Sequence, residues 1–378
     1  MSKKIVYFSP GFFHAREDLF IKLSEKFNIK FIEASKYMNG IPSDIYNNKV
    51  NYEIWQYSHF RFSNLKNTEK IRLFFSIYNE LKKGDYDLVI SSTQHPLYAK
   101  YIFLFKYIFN YKLAYVNEIW SYEHKKHNII SKLYDKISMY IVRKADYVLN
   151  EGIRSENFII SCGVLRERCY RWPMASVDLL SKTVRTNSAL QKLFIDTDNV
   201  IRYAYIGRLT EAKGVMTLFR AYEKLGEEYK AKGVLYIIGK GPLSDEIKQL
   251  SQKHKSVLVI DWIDSSYLTF LYSKLNFFVL PSHFDGFSTV SCEAASMCLP
   301  LVLTENVGCV PDLMGIPPFK NGYVVKPNDP VELSKALMHM LDKDKSELKE
   351  MGKISRINFE TNLSIEININ TLNKMLNE

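Results

Sequence analysis

The sequence has few cysteines and no long apolar run. Five cysteines in 378 residues, with no Cys-x-x-Cys pair, argue against a disulfide framework and against a zinc site of the usual spacing. The most apolar stretch, residues 98–111, is interrupted by Lys100 and Lys106 and is shorter than the roughly 18 residues that a spanning helix needs. We therefore expect buried thiols and no segment that crosses a membrane.

The beginning of the sequence also lacks a signal-peptide core. Its first apolar run, residues 5–8, is far shorter than the roughly 7–15 residues of such a core. No repeat and no low-complexity tract is present, and an apolar fraction of 47% is typical of a globular protein. We therefore expect a globular protein of the cytoplasm.

Basic residues outnumber acidic ones, and this excess is distributed unevenly along the chain. The 51 Lys and Arg against 41 Asp and Glu give a net charge of +10. Residues 1–165 contain 24 and 16 of them, a net charge of +8, which leaves +2 for the remainder. This distribution argues against a nucleic-acid partner and favours an anionic partner for the first half alone.

Short β-rich runs alternate with segments of helical periodicity in both halves of the chain. This alternation predicts an α/β fold of two Rossmann-like domains, each a doubly wound parallel sheet, that face a central cleft. The expected strands are 5–8, 30–32, 88–91, 113–116, 147–149, 201–206, 234–238, 257–260, 277–280, 301–304 and 323–325. The expected helices include 17–26, 68–82, 97–109, 131–143, 243–253, 267–275, 289–296 and 330–341.

The periodicity is lost between the two halves, and we place the domain boundary there. This predicts a first domain at 1–165, an inter-domain segment at 166–200 and a second domain at 201–355. Since ligands of open α/β sheets bind beyond the carboxyl ends of the strands, the loops that follow strands are the candidate sites.

Two loops of the second half combine glycines with a strand end and a helix start. Residues 207–214 contain Arg208 and Lys213 between two glycines, which suits a bound diphosphate, although solvated loop charges are the alternative. Residues 238–242 contain Gly239 and Gly241, a weaker signal because G-x-G turns are common.

A third loop contains two carboxylates. Asp285 follows a strand, and Glu293 lies in the second turn of an apolar helix, where an unpaired charge would be costly. Carboxylates accept hydrogen bonds from neighbouring hydroxyls, as sugar and ribose rings require. A fourth loop, residues 306–312, is interpreted as a turn.

These motifs, in this order and spacing, resemble the retaining glycosyltransferases of family four, which have the GT-B fold. The motifs are Gly207-Arg208-Leu209 with Lys213-Gly214, Gly239-x-Gly241-Pro242, Pro281-Ser282 with Asp285-Gly286-Phe287 and Glu293-Ala294, and Asn321-Gly322. The resemblance covers residues 200–345, and in the first half only the general layout and Ser161-Cys162-Gly163-Val164 match. It also implies that residues 356–378 form a helix that packs back on the first domain.

The resemblance implies a role for each motif. Arg208 and Lys213 would hold the nucleotide diphosphate and stabilise the charge that develops on it. Asp285 would contact the donor sugar, although the family usually has glutamate there, which leaves the donor sugar open. Glu293 would bind the ribose. The further donor-side positions are Gly11, Gly207, Gly239, Gly241, Trp262, Ile263, Gly286, Phe287, Ser288 and Thr289.

In the first domain the family often has a histidine that faces the donor sugar at a strand end. Here the corresponding strand is followed by Glu118, which is our catalytic candidate for that domain. The candidates on the acceptor side are His14, Arg16 and His95. For His95 a structural role is the alternative.

A rival class of glycosyltransferases holds a divalent metal with an Asp-x-Asp motif. Three such tripeptides begin at Asp85, Asp196 and Asp342, but none follows a core strand, and turn or cap chemistry explains all three. We therefore expect no metal and no cofactor, since the nucleotide sugar is a co-substrate.

The sequence thus predicts a retaining, metal-independent glycosyltransferase that moves a sugar from a nucleotide-diphosphate donor to a glycan or lipid-linked acceptor in cell-surface polysaccharide biosynthesis. UDP is the expected nucleotide because it is the commonest in the family. A nucleotide-sugar epimerase on the same architecture and a non-catalytic glycan- or membrane-binding module stay open.

Two stretches of the first half, residues 98–112 and 124–144, mix apolar and basic residues. One interpretation is a buried helix followed by a solvated basic helix. The other is a surface that rests on an anionic bilayer at the inner membrane face, where a lipid-linked acceptor would be found.

Overall fold

A computed structural model describes residues 3–9, 16–33, 50–55, 65–92, 96–121, 129–174, 177–194 and 200–378. The chain divides into two compact units. One comprises Met1–Ser176 and Ile365–Glu378, and the other comprises Val177–Ser364. Each unit contains one parallel sheet, as the alternation of strands and helices predicts.

The first unit is a seven-stranded sheet with helices on both faces. Its strands are β1 (Lys4–Ser9), β2 (Asn28–Glu33), β3 (Tyr52–Ile54), β4 (Leu88–Ser92), β5 (Lys112–Asn117), β6 (Tyr147–Asn150) and β7 (Cys169–Arg171), in the order β3-β2-β1-β4-β5-β6-β7. Its first helices are α1 (Glu17–Lys26), α2 (Asn67–Gly84), α3 (Pro96–Phe109), α4 (Ile129–Lys144) and α5 (Ile153–Ser161).

Both faces of this sheet are buried, because alternate residues of each strand point to opposite sides. Val6 and Val89 pack with residues of α2, α3 and α4. Their neighbours Ile5 and Ile90 pack with residues of α1 on the other side. The sequence of each strand is therefore a nearly continuous run of apolar residues.

The second unit is a six-stranded parallel sheet. Its strands are β8 (Ile201–Ile206), β9 (Gly233–Ile238), β10 (Val257–Ile260), β11 (Phe277–Leu280), β12 (Leu301–Thr304) and β13 (Gly322–Val325), in the order β10-β9-β8-β11-β12-β13. Its helices are α6 (Ser188–Lys192), α7 (Val215–Glu223), α8 (Glu227–Lys232), α9 (Ser244–Ser251), α10 (Leu268–Ser273), α11 (Thr289–Ser296), α12 (Val310–Met314), α13 (Pro330–Leu341) and α14 (Lys345–Leu363).

The last helix, α15 (Ile365–Asn377), belongs to the first unit. Ile369 and Leu372 are buried in the core that contains β1 and α1. The Thr371 hydroxyl donates to the carbonyl of Arg171 at 2.9 Å, which ties the helix to β7. The chain thus ends on the unit where it began.

The unit boundaries differ from the expected domain bounds at two places. The expected inter-domain segment 166–200 is divided, because residues 169–171 pair with β6 and the side chain of Tyr170 is buried in the first core. The expected returning helix 356–378 is also divided. Phe359 and Leu363 are buried in α14 of the second unit, and only the residues from Ile365 onward pack on the first.

Each sheet has a point where the strand order reverses, between β1 and β4 in the first and between β8 and β11 in the second. Loops that follow the strands on either side of such a point diverge and leave a crevice at the carboxyl edge of the sheet. The loops after β8 and β11 are residues 207–214 and 281–288, which contain the candidate donor residues. None of the helices in the described part of the chain is both long and apolar enough to span a membrane.

Candidate active site

The loop after β8 is held by hydrogen bonds that leave its two cations at the edge of the sheet. The Tyr205 hydroxyl donates to the carbonyl of Arg208 at 2.7 Å, and the Leu209 N–H donates to the carbonyl of Lys240 at 3.0 Å. The backbone is thereby tied both to its own strand and to the loop after β9. The Arg208 side chain is exposed and, within the described residues, has no hydrogen-bond or ion-pair partner.

Gly214 is required at the start of α7. Its φ is +69°, in the left-handed region, and a Cβ atom there would overlap the carbonyl oxygen of Pro281. Only glycine combines this conformation with so close a backbone approach. The turn brings the loop after β8 against the end of β11.

Lys213 and Asp285 meet at this approach. The Lys213 Nζ lies 2.5 Å from Asp285 Oδ2, and both side chains are largely buried. The Asp285 N–H donates to the carbonyl of Asn306 at 3.0 Å, while the Gly308 N–H donates to the carbonyl of Asp285 at 2.9 Å. Residues 306–312, interpreted from the sequence as a turn, therefore also position Asp285 through both its N–H and its carbonyl group.

His283 has a positioning role that the sequence analysis missed. Its N–H donates to the carbonyl of Ala212 at 2.9 Å, and its Nε2 lies 3.0 Å from the hydroxyl of Thr217 on α7. Its carbonyl accepts from the Asn306 side chain at 2.9 Å. One residue thus connects the loops after β8, β11 and β12. Its place three residues after a strand end was the available signal.

Glu293 lies on α11 with its carboxylate partly buried. The Tyr272 hydroxyl donates to Glu293 Oε2 at 3.1 Å. Burial raises the pKa of the Glu293 carboxyl to about 7, and the hydrogen bond from Tyr272 acts in the opposite direction. A carboxylate with free acceptor capacity in a poorly hydrated place binds hydroxyl donors strongly. Tyr272, on α10, was not predicted.

The start of α11 is capped by a serine side chain. The Ser288 hydroxyl accepts from the N–H of Ser291 at 3.2 Å and so caps the helix. Phe287 and Thr289 on either side are half-buried. At Gly286 an added Cβ would meet nothing within 4 Å, so this glycine borders open space.

The loop after β9 and the end of β10 complete this edge. Gly239 has a φ of +148°, and a Cβ atom there would overlap the carbonyl oxygen of Gly207; one at Gly241 would overlap that of Leu209. The two glycines therefore permit the close packing of the loops after β8 and β9. Trp262, beyond β10, has 65% of its surface exposed, and the adjacent Ile263 is half-buried.

In the first unit the structure brings together two predicted residues, Arg16 and Glu118. The guanidinium Nη2 lies 3.1 Å from Glu118 Oε1, and both side chains are largely buried. Burial acts to lower the pKa of Arg16, but nearby charges, first that of Glu118, more than offset it, so the pKa is raised. Glu151, buried just after β6, adds a further negative charge that the sequence analysis missed. Gly11, His14 and His95 lie outside the described residues.

The three Asp-x-Asp tripeptides form no metal centre where they are described. Asp85 caps the end of α2 in a left-handed conformation, and Asp342 caps α13 and accepts from Lys232 at 2.6 Å. Asp196 lies outside the described residues. Within the described ranges no group of three or more His, Cys, Asp or Glu side chains is arranged to hold a metal ion.

Residues 188–357 match the family model described as glycosyl transferases group 1. An uncharacterized glycosyltransferase of Methanocaldococcus jannaschii is 23% identical over 77% of this chain and 76% of its own length. A second relative, the N-acetylgalactosamine-N,N'-diacetylbacillosaminyl-diphospho-undecaprenol 4-alpha-N-acetylgalactosaminyltransferase of Campylobacter jejuni, is 32% identical over 37% of each chain.

Among solved structures, HepE of Anabaena in complex with UDP resembles the chain with a TM-score of 0.74 at 15% identity, over 99% of this chain and 100% of that one. At 15% identity this similarity shows the fold alone. The matched segment contains the loops after β8, β9, β11 and β12 described above. The segment 188–357 is therefore similar to the group 1 glycosyltransferases, and the two parallel-sheet units of the chain have the GT-B fold.

Proposed function

We propose that the protein is a retaining, metal-independent glycosyltransferase that uses a UDP-sugar and a glycan or lipid-linked acceptor. The observation that carries this proposal is the meeting of Lys213 and Asp285 beside Gly214, at the carboxyl edge of the second sheet. A cation for a diphosphate and a carboxylate for sugar hydroxyls are adjacent there, as the transfer requires.

Arg208 and Lys213 would stabilise the departing diphosphate. When the bond between the anomeric carbon and the diphosphate oxygen breaks, its electron pair goes to that oxygen, and negative charge grows on the nucleotide. Two cations held at a glycine-rich loop reduce the energy of that charge without rearranging. The N–H groups at the start of α11 would assist as donors.

The carboxylates would orient the donor. Asp285 is fixed through its backbone on both sides, so its free acceptor positions can receive sugar hydroxyls. Glu293 would accept from the ribose, and the exposed Trp262 would lie beside the base. UDP is favoured over other nucleotides because the Anabaena structure contains UDP.

On the first unit we assign Glu118 the position beside the donor sugar, with Arg16 holding it in place. The acceptor is proposed to be lipid-linked, since the Campylobacter jejuni relative is named for a diphospho-undecaprenol substrate. Such an acceptor would place the enzyme at a membrane surface, in the biosynthesis of a cell-surface polysaccharide.

Calorimetry with UDP, GDP and ADP tests the donor site. We expect UDP to bind most tightly and Arg208→Ala to weaken it about tenfold or more, whereas Lys224→Ala, at an exposed lysine on the same unit, should leave it unchanged. Failure to bind any of the three nucleotides would contradict the proposal.

Two further measurements test the reaction type. Proton NMR of the product should show that the anomeric configuration of the donor is kept. Activity should also survive EDTA. An inverted product, or activity that EDTA abolishes and Mn²⁺ restores, would overturn the corresponding part of the proposal.

A further inference from the structure

Three consecutive helices of the first unit expose large apolar side chains. A surface helix normally turns polar residues to water and apolar ones to the core. Here α2, α3 and α4 bury one apolar side and expose a second. We call the exposed set the α2–α4 face, and it consists of Ile71, Phe75, Leu104, Tyr107, Ile108, Leu133 and Tyr140.

The centre of this face is the outer side of α3. Leu104, Tyr107 and Ile108 are 55%, 71% and 61% exposed, whereas Ile102 and Phe105 of the same helix are buried in the core. The spacing i, i+3, i+4 puts the three exposed residues on one side of the helix. Exposed apolar residues scattered singly need no explanation, but a stripe of three in one helix does.

Aromatic contacts join the three helices into one surface. On one side Phe74 of α2 lies 5.5 Å from Phe75 and 5.2 Å from Tyr101 of α3, between ring centroids. On the other side Phe103 of α3 lies 5.5 Å from Tyr107 and 6.3 Å from Tyr140 of α4. The exposed residues are therefore connected across the helices through the half-buried Phe74 and Tyr101 and the buried Phe103.

The same helices account for most of the net positive charge of the first half. They have ten Lys and Arg against three Asp and Glu, a net charge of +7, whereas residues 1–165 together have +8. On α4 the exposed Lys136 lies between Leu133 and Tyr140 at helical spacing. Basic side chains thus lie on the same helices as the exposed apolar residues.

We propose that the α2–α4 face docks on the surface of an anionic lipid bilayer. This inference rests on the proposed function in so far as that function gives the enzyme a lipid-linked acceptor. Tyrosines are favoured at the level of the lipid head groups, and leucine and isoleucine side chains reach the acyl boundary. Lysines gain from the negative surface potential while their stems cover apolar surface.

The position of the face within the unit suits such an acceptor. The helices α3 and α4 follow β4 and β5, and crossover helices of a parallel sheet begin at its carboxyl edge. Glu118 follows β5 at that same edge. Leu104, Tyr107 and Ile108 lie towards the other end of α3, but Ile71 and Leu133, near the starts of α2 and α4, extend the face to the edge at which the acceptor is to react.

Sedimentation of the full chain with vesicles tests the proposal. We expect it to bind vesicles of equal parts phosphatidylglycerol and phosphatidylcholine at low salt, and to be largely released at 0.5 M NaCl, since surface charge attraction is screened. The triple variant Leu104→Gln, Tyr107→Gln, Ile108→Gln should reduce the partition coefficient about tenfold or more. Lys136→Gln should reduce it about fivefold.

Matched variants on the second unit serve as controls. Ile316→Gln replaces an apolar residue that is 87% exposed, and Lys349→Gln replaces an exposed lysine of α14. Both should bind vesicles like the parent protein. Because all substituted positions are exposed, unchanged thermal melting should accompany each variant.

The outcomes separate this inference from the proposed function. No binding to anionic vesicles at low salt, or binding that the triple variant leaves unchanged, would overturn the inference. A dimer in analytical ultracentrifugation that the triple variant dissociates, without vesicle binding, would assign the face to a second copy and also overturn it. UDP binding should be the same in all variants; if UDP fails to bind while vesicle docking depends on the face, the proposed function fails and the docking surface stands.

Discussion

The carboxyl edges of the two sheets are built in different ways. In the second unit the charged groups lie in short loops, and backbone hydrogen bonds connect each loop to the next, as between Leu209 and Lys240 or Asp285 and Asn306. In the first unit the buried polar groups come from strand ends far apart in sequence, such as Asn117 and Asn150, whose side chains hydrogen bond at 3.1 Å. Local motifs thus form the carboxyl edge of the second sheet, whereas the strand order brings together the polar groups at the carboxyl edge of the first.

The two units also differ on their outer surfaces. The first has the basic, apolar α2–α4 face, whereas α13 of the second buries Leu333, Leu337 and Met340 in its core. The second half of the sequence is correspondingly near neutral. Our proposals assign a function to one sheet edge in the second unit, and to one sheet edge and the α2–α4 face in the first.

The largest expected loss of activity comes from removing Lys213 at the carboxyl edge of the second sheet. Lys213→Ala takes a cation from the proposed diphosphate site and leaves the largely buried Asp285 without its partner. We expect kcat/KM to fall by about 10²–10³. Lys224→Ala is the control, and steady-state kinetics with the UDP-sugar is the measurement. A fall of less than threefold would mean that Lys213 does not contact the diphosphate.

Substitutions of two glycines test the packing of the loops after β8 and β11. Gly214→Ala introduces a Cβ into the carbonyl of Pro281 at a positive φ and should lower the free energy of unfolding by about 3 kcal/mol. Gly286→Ala meets no atom within 4 Å and should change it by less than about 0.5 kcal/mol. Urea unfolding measures both, and equal effects would show that the loop contact is not tight.

The edge of the first sheet is tested by Glu118→Gln. If Glu118 lies beside the donor sugar, kcat should fall about 10–100-fold while the Kd for UDP stays unchanged, because the nucleotide is held by the other unit. Glu156→Gln, on α5 of the same unit, should affect neither. A change in UDP affinity equal to the change in kcat would place Glu118 in donor binding instead.

The smallest expected effect concerns pH and Glu293. Because burial raises its pKa to about 7 in the folded protein, above the unfolded value near 4.5, the folded state holds the proton more tightly. The contribution of this group to stability is thus complete below pH 4.5 and is lost as the pH rises through 7. Glu293→Gln should reduce the fall in unfolding free energy between pH 5 and pH 8 by about 1–2 kcal/mol. Urea unfolding of the parent and variant at both pH values measures this, and identical pH dependence would contradict the assignment.

The fold followed from the sequence to a large extent. Every expected strand is present, with ends that shift by at most two residues, since buried parallel strands are apolar throughout and bounded by turns. The two missed strands, β3 and β7, have three residues each and lie at the two edges of the first sheet. Three residues are too short to show a period, so pairing with β2 and β6 alone makes them strands.

The candidate site was predicted where its chemistry is local. Arg208, Lys213, Asp285 and Glu293 stand out because each follows a strand or lies in an apolar helix. His283 and Tyr272 did not, because their roles depend on contacts with Thr217 and Glu293 across the unit. The split of the C-terminal segment at residue 364 was missed for the same reason, since both helices are amphipathic and only their partners differ.

Three features can be inferred from the amino-acid sequence alone: the alternation of strands and helices, the loops with paired glycines and charges, and the excess of positive charge in the first half. The first two depend on residues close in sequence, for which propensity and periodicity suffice, and the third is a count of residues. Three other features became visible only in the folded chain: the contact of Lys213 with Asp285, the contact of Arg16 with Glu118, and the exposed face to which three helices contribute apolar residues. Those relations depend on strand order and on which side of each helix is covered, and both are set by packing between residues far apart in the chain.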